Sequence, residues 1–134
     1  MICFALYSAE RHVNAVYREL LAPWNLSYTQ YLVLIALWNE EVLSVSALGR
    51  LLGLDSGTLS PVLKRMERNG LVKKERRVDD ERGVQISLTD KGISLNEDLS
   101  HIPSCLFDRI GMPISDALAL RDHAKELGKT LAPS

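Results

Sequence analysis

The sequence predicts a mainly α-helical chain that carries one small β-hairpin. Three observations predict it. Apolar residues recur at three- and four-residue spacing over 2–21 and again over 115–131, the period of a helix with one apolar face. "YLVLIALW" at 31–38 is apolar almost all round, as a buried helix is. "VQISL" at 84–88 alternates with period two, and the acidic turn Asp79-Asp80-Glu81 separates it from the run that starts at Leu71.

The elements follow in order. Ile2, Leu6, Ala9, Val13, Val16 and Leu20 mark one stripe of a first helix, which Pro23 ends. Thr29 is the expected cap of a second helix. Ser46 opens a short third one, "ALGRLLG", which Gly53 closes. Asp55 or Ser56 caps a fourth that runs to Asn69, with Gly70 as its stop. Pro61 falls late in its first turn, where a missing N–H costs little. Strands are expected over 71–77 and 83–88. Thr89 or Asp90 then caps a fifth helix that Pro103 kinks or ends, and 115–131 is the last helix.

The totals narrow the class. A chain of 134 residues, 46% hydrophobic and 25% charged, is one ordinary domain without a low-complexity run. No apolar stretch reaches the roughly 18–20 residues that span a bilayer, and the first residues lack a basic leader, so a cytoplasmic protein is expected. Two cysteines are too few for a disulfide scaffold and fit a reducing compartment. The net charge of −1 is unevenly spread. From Arg50 to Arg77 eight basic residues face three acids, a net of +5, which leaves −6 on the rest. A basic middle in an acidic frame suits a polyanion, although a solvated face with clustered charge gives the same count.

Two helices joined by a tight turn, followed by a basic hairpin, make a winged helix-turn-helix. Each part meets a need of groove reading. "DSGTLSP" brings short side chains to the start of the fourth helix, so its backbone and the hydroxyls of Ser56, Thr58 and Ser60 can approach base edges, with Gly57 between them. Lys64, Arg65 and Arg68 follow along the helix toward phosphates. Arg82 at the hairpin tip suits a narrow, negative minor groove, and Asp80 can hold its guanidinium by a charge-assisted hydrogen bond. An ordinary charged turn is the plainer alternative for the hairpin.

"LDSGTLSPVLKRMERNGLVKKERRVDDERGVQISLTDKG" resembles the winged helix of the MarR family of dimeric bacterial repressors. "DER" at 80–82 matches that family's D-x-R wing signature, and "LTDKG" matches the start of its next helix. "CFALYSAERHVNAVYRELLAPWNLSYTQYLVLIALW" is similar to the family's organic hydroperoxide sensors, the OhrR type. The resemblance covers nearly the whole chain and is weakest over 106–134.

The resemblance implies a homodimer on double-stranded DNA with an inverted-repeat operator, 44–90 as the DNA-binding region, and 1–25 and 91–134 as dimerisation helices. It implies a repressor rather than an enzyme, without cofactor or metal. Cys3 stands in the place of the peroxide-reactive thiol, and Tyr7, Tyr17 and Tyr28 in the places of its supporting tyrosines. Cys105 matches more loosely a second cysteine that, in some members, resolves the oxidised thiol as a disulfide across the dimer.

The residues themselves bear on this. Cys3 falls near a first helical turn, where unpaired N–H groups and the helix dipole favour an anion. Tyrosine hydroxyls can donate hydrogen bonds to a thiolate. Tyr7, one turn on, shares the face of Cys3. Tyr17 returns to nearly that face, but about 21 Å further along the axis, so it can serve Cys3 only from a second subunit. Phe4, Leu21 and Trp24 are expected to line an apolar cleft there. Periodicity alone equally fits a small buried Cys3 among packing tyrosines.

Three other readings stand beside this one. One is a MarR-type regulator released by a small phenolic or lipophilic ligand at the same cleft, without thiol chemistry. Another is a thiol peroxidase, which has no Arg or Thr arranged beside Cys3 to polarise a peroxide. The third is a metal site from His101 and Cys105, four residues apart, with Pro103 disturbing the helix between them; His12 and His123 have no evident neighbours.

Overall fold

A computed structural model describes residues 1–76 and 83–133. The chain divides into two compact units, 1–102 and 103–134. The first contains helices α1 (Ile2–Leu21), α2 (Tyr28–Glu40), α3 (Val45–Leu52), α4 (Ser56–Arg68) and α5 (Asp90–Asp98). It also contains strands β1 (Val42–Ser44), β2 (Val72–Arg76) and β3 (Val84–Leu88). Helix α6 (Ile102–Ile110) begins at the boundary, and α7 (Ile114–Leu131) fills most of the second unit.

α2 is the hub of the first unit. Tyr31, Val33, Leu34, Ala36 and Leu37 are buried on several sides at once, and the helix packs on α1, α3, α4, α5 and β3. Its cap is Ser27, not Thr29. The Ser27 hydroxyl accepts the Gln30 N–H at 3.1 Å and the Gln30 side chain accepts the Ser27 N–H at 3.0 Å, a reciprocal capping box. Gln30 can therefore be 4% exposed without an orphaned polar atom.

The helix-turn-helix is set by two caps and a glycine. Ser44, rather than Ser46, caps α3 by accepting the Ala47 N–H at 3.0 Å. Asp55 caps α4 by accepting the Thr58 N–H at 2.7 Å. Gly53 turns the chain at φ +68°, a left-handed conformation that costs glycine little. α4 buries Leu59, Leu63 and Met66, spaced four and three residues apart, against α2 and α3. Each buried side chain of this kind contributes about 1.5–3 kcal/mol.

The sheet has the order β1-β3-β2, all antiparallel. β1 was absent from the sequence reading: three residues are too few to show a period. Arg76 pairs with Val84, the last described pair of the hairpin ladder, and residues 77–82 lie outside the described residues. Ile86 in β3 is fully buried beneath the helices.

α5 starts under firm restraint. Thr89 caps it, accepting the Gly92 N–H at 3.2 Å and donating its hydroxyl to the Gly70 carbonyl at 2.5 Å. The Trp38 indole N–H donates to the Gly92 carbonyl at 2.9 Å. Gly92 has no room for a Cβ, which would strike the Leu71 carbonyl oxygen. α5 ends at Asp98. Pro103 does not kink it but is the second residue of α6, a position where proline's missing N–H has no helical partner to lose.

Candidate DNA interface and thiol site

The outer face of α4 is polar and basic because its apolar stripe is used up inside. Gly57, Pro61, Lys64 and Arg68 fall four, three and four residues apart, opposite Leu59, Leu63 and Met66, and all four are exposed. Ser56 and Ser60 flank this stripe on one side, Thr58 and Arg65 on the other; all are exposed. Asp55 hydrogen-bonds both the backbone N–H and the hydroxyl of Thr58, which holds its carboxyl below the usual carboxylate range. The Thr58 hydroxyl predicted to meet DNA is thus engaged at the cap.

The neighbours of these residues sort them further. Ser60 lines a cleft of about 320 Å³ with Ser46 of α3 and Lys74 of β2. Ser56 lies beside Ser46 and Arg50 across the turn. Ser46, Arg50 and Lys74 therefore border the same surface, and the sequence reading gave none of the three a contact of its own. For Arg50 and Lys74 the signal was membership of the basic segment, and Ser46 gave none beyond its place at the start of the third helix. Arg65 faces elsewhere, into a cleft of about 500 Å³ with Asn14 and Arg18 of α1 and with Ser27 at the start of α2. Asp80 and Arg82 lie outside the described residues.

The thiol residues fall into two groups. Cys3 is the second residue of α1 and is exposed. The first in-helix backbone bond runs from Ala5 N–H to the Met1 carbonyl, so the N–H groups of the first turn are unclaimed by the helix. Tyr7 is also exposed, with the Arg11 guanidinium 5.6 Å from its ring centre. Tyr17, Tyr28 and Tyr31 form a separate cluster between the C-terminal half of α1 and the start of α2. The Tyr17 and Tyr28 rings stack at 4.2 Å, and Tyr31 lies 5.8 Å from Tyr17. Burial pushes all three phenols up, and the neighbouring phenols Tyr28 and Tyr31 push Tyr17 further, while Tyr17 partly offsets the rise at Tyr28.

Within the chain Cys3 and Tyr7 share a helix face one turn apart and Tyr17 stacks on Tyr28, and a straight helix keeps Cys3 and Tyr17 about 21 Å apart in rise. Tyr31 was missed; it sits three residues beyond Tyr28 on the same helix face, which was the available signal. Leu21 does not line a cleft, for it is fully buried in the core. Trp24 is half-buried with its ring 5.6 Å from that of His101. His101 precedes α6 instead of sharing a helix face with Cys105, which is half-buried on α6 in the second unit. Among the described residues no group of three or more His, Cys, Asp or Glu is placed to hold a metal ion, and no helix is long and apolar enough to cross a membrane.

Fold and surface define a winged helix-turn-helix regulator of transcription of the MarR/SarA type, a protein that binds DNA rather than an enzyme. Residues 15–99 match the family described as transcriptional regulator SarA/Rot, and the chain belongs to that family. It is 47% identical over 122 residues to the HTH-type transcriptional regulator TtmR of Methylorubrum extorquens (strain PA1), across 91% of this chain. It spans 63% of the length of that relative. It is also 47% identical over 130 residues to the organic hydroperoxide resistance transcriptional regulator of Bacillus subtilis (strain 168), covering 97% of this chain and 88% of the relative. Among solved structures, reduced AbfR bound to DNA matches with a TM-score of 0.84 at 35% identity, covering 97% of this chain and 91% of that one. Disulfide-formed AbfR, a protein of Staphylococcus epidermidis, matches at 0.72 and 37% identity, covering 94% and 88%.

Proposed function

We propose that the chain is a homodimeric repressor that leaves its operator when an organic hydroperoxide oxidises Cys3. The observation that carries this reading is the position of Cys3. It is an exposed thiol in the first turn of a helix on which Ile2, Leu6 and Val13 share one face and Phe4 stands on another, all four exposed. A surface of that kind marks an interface. Ile114 and Leu118, one turn apart on α7, form a second such surface. Both lie in the segments 1–25 and 91–134, which we assign to dimerisation.

An antiparallel α1 of a second protomer brings Tyr17 and Tyr28 of that protomer to Cys3. Attack of the thiolate on the peroxide gives a sulfenic acid and the alcohol. Condensation with the Cys105 thiol gives a disulfide and releases water. The new bond shifts the two protomers and with them the spacing of the two α4 helices. In the reduced dimer those helices read an inverted repeat with half-sites about 34–36 Å apart, through Ser56, Gly57, Ser60 and Lys64, and Arg82 is assigned to the minor groove with Asp80 as its support. The kinship with the hydroperoxide regulator of Bacillus subtilis, and with a protein solved both reduced on DNA and disulfide-formed, supports the assignment.

Non-reducing gel electrophoresis after mild treatment with cumene hydroperoxide tests the chemistry. A band at twice the chain mass is expected in the wild type, and its absence in Cys3→Ser and in Cys105→Ser. A wild type that stays at single-chain mass overturns the interchain disulfide. Binding to a full inverted repeat and to a single half-site tests the dimer; equal affinity for both overturns it.

A further inference from the structure

The stacked tyrosines carry an inference separate from thiol chemistry. Tyr17 of α1 and Tyr28 of α2 are 4.2 Å apart centre to centre with 24° between their planes, closer than the roughly 4.5–7 Å usual for aromatic pairs. Each phenol acts on the other's titration, and the Tyr28 side chain helps hold the Tyr17 phenol up. Rings stacked this closely can bring one ortho carbon of each together with little movement. Tyr31 is further from Tyr17, at 5.8 Å, and more inclined, at 41°. Both members of the close pair are half-buried, so they are shielded from other molecules yet within reach of a small oxidant.

We propose that Tyr17 and Tyr28 form a site of oxidative cross-linking, converted to an intrachain dityrosine by alkoxyl radicals. The oxidant's arrival rests on the reading that organic hydroperoxides reach α1. A ferrous ion gives one electron to the hydroperoxide, which splits into an alkoxyl radical and hydroxide. The radical takes the hydroxyl hydrogen of one tyrosine and leaves as the alcohol. A second alkoxyl radical does the same at the other tyrosine. The two phenoxyl radicals join through one ortho carbon each, and the two ring hydrogens move to the oxygens. In sum, two alkoxyl radicals become two alcohols and the protein loses two hydrogen atoms.

Burial favours this course, because phenols kept neutral give up a hydrogen atom rather than a bare electron. The product staples α1 to α2 in one protomer. Unlike a disulfide, it is not undone by thiols, so it would record one-electron stress where Cys3 records two-electron stress.

The full-length protein treated with ferrous sulfate and cumene hydroperoxide tests this, with wild type, Tyr17→Phe, Tyr28→Phe, Tyr7→Phe and Cys3→Ser in parallel. Blue dityrosine fluorescence should appear at single-chain mass on a denaturing, reducing gel. Tryptic peptides should be joined across the cut at Arg18, with fragmentation placing the link at Tyr17 and Tyr28. The signal should vanish in Tyr17→Phe and Tyr28→Phe and persist in Tyr7→Phe and Cys3→Ser. No fluorescence, a main product at Tyr7 or Tyr31, or a product at twice the chain mass overturns the proposal. Hydroperoxide without iron, read by operator release, tests the sensing reading by itself. Persistence in Cys3→Ser shows that either can fail without the other.

Discussion

α1 and α4 are both amphipathic helices, and they spend their apolar faces differently. α4 turns Leu59, Leu63 and Met66 into its own chain and shows water a polar stripe. α1 buries only Leu21 and leaves Ile2, Phe4, Leu6 and Val13 outward. The difference teaches where each helix finds its partner. α4 is held from behind so that its front is free for DNA. In the function proposed above a second protomer covers α1, so that chemistry near Cys3 acts on an association rather than on a core.

The largest effect should come from exchanging the two faces. Leu63→Ala empties a core position that is 1% exposed and should cost about 2–5 kcal/mol in denaturant unfolding, at any protein concentration. Phe4→Ala should leave unfolding of the dilute chain nearly unchanged and raise the dissociation constant of the dimer in sedimentation. A Phe4→Ala cost equal to that of Leu63→Ala at every concentration would erase the contrast.

Next come the surfaces that face the nucleic acid. Arg82→Ala should weaken operator binding by about 1–3 kcal/mol in anisotropy titrations if its guanidinium makes a specific groove contact. Unchanged affinity would remove the wing from the interface. Lys64→Ala should lower the slope of binding against salt by about one, since a phosphate contact releases roughly one counterion. Arg65→Ala, on the side of the cleft with Arg18, should change that slope less. Equal changes would mean that the cleft does not separate the two residues.

The smallest effect concerns the cap of α4. The Asp55 carboxyl is held down by the Thr58 N–H and hydroxyl. A depressed folded pKa contributes stability that is present above the ordinary value of about 3.9 and is lost as pH falls through the folded one. Unfolding followed below pH 4 should therefore show an acid loss in the wild type that Asp55→Asn, which keeps a capping acceptor, reduces. An identical acid limb in both would assign the loss to other carboxylates.

Much of this contrast was legible in the sequence. Helix periodicity gave α1, α2, α4 and α7 within a residue or two, and Gly53 and Gly70 gave the breaks. The caps of α2 and α3 were placed two residues late. Thr29 and Ser46 are capping residue types close to the apolar runs, but Ser27 with Gln30 three residues on is the stronger sign for α2. β1 escaped because three residues have no period, and α6 because Pro103 was taken as a stop where it is a start. For the candidate site, residue type at a helix start pointed to the α4 hydroxyls, whereas Cys3, Tyr7, Tyr17 and Tyr28 came from the resemblance, since spacing alone equally fits packing. Spacing alone placed neither Tyr31 in the tyrosine cluster nor Arg65 in a cleft away from Ser60, because both depend on how α1 and α2 pack. Cys105 and His101 shared a helix only in the linear pattern.

The central claim is that oxidation on α1 reaches DNA through the pairing of protomers. Operator affinity, measured for reduced and cumene hydroperoxide-treated protein in wild type and Cys3→Ser, tests it most directly. The account predicts a large loss on oxidation of the wild type and none in Cys3→Ser, with the two reduced proteins binding alike. Equal affinity of the reduced and oxidised wild type would contradict it.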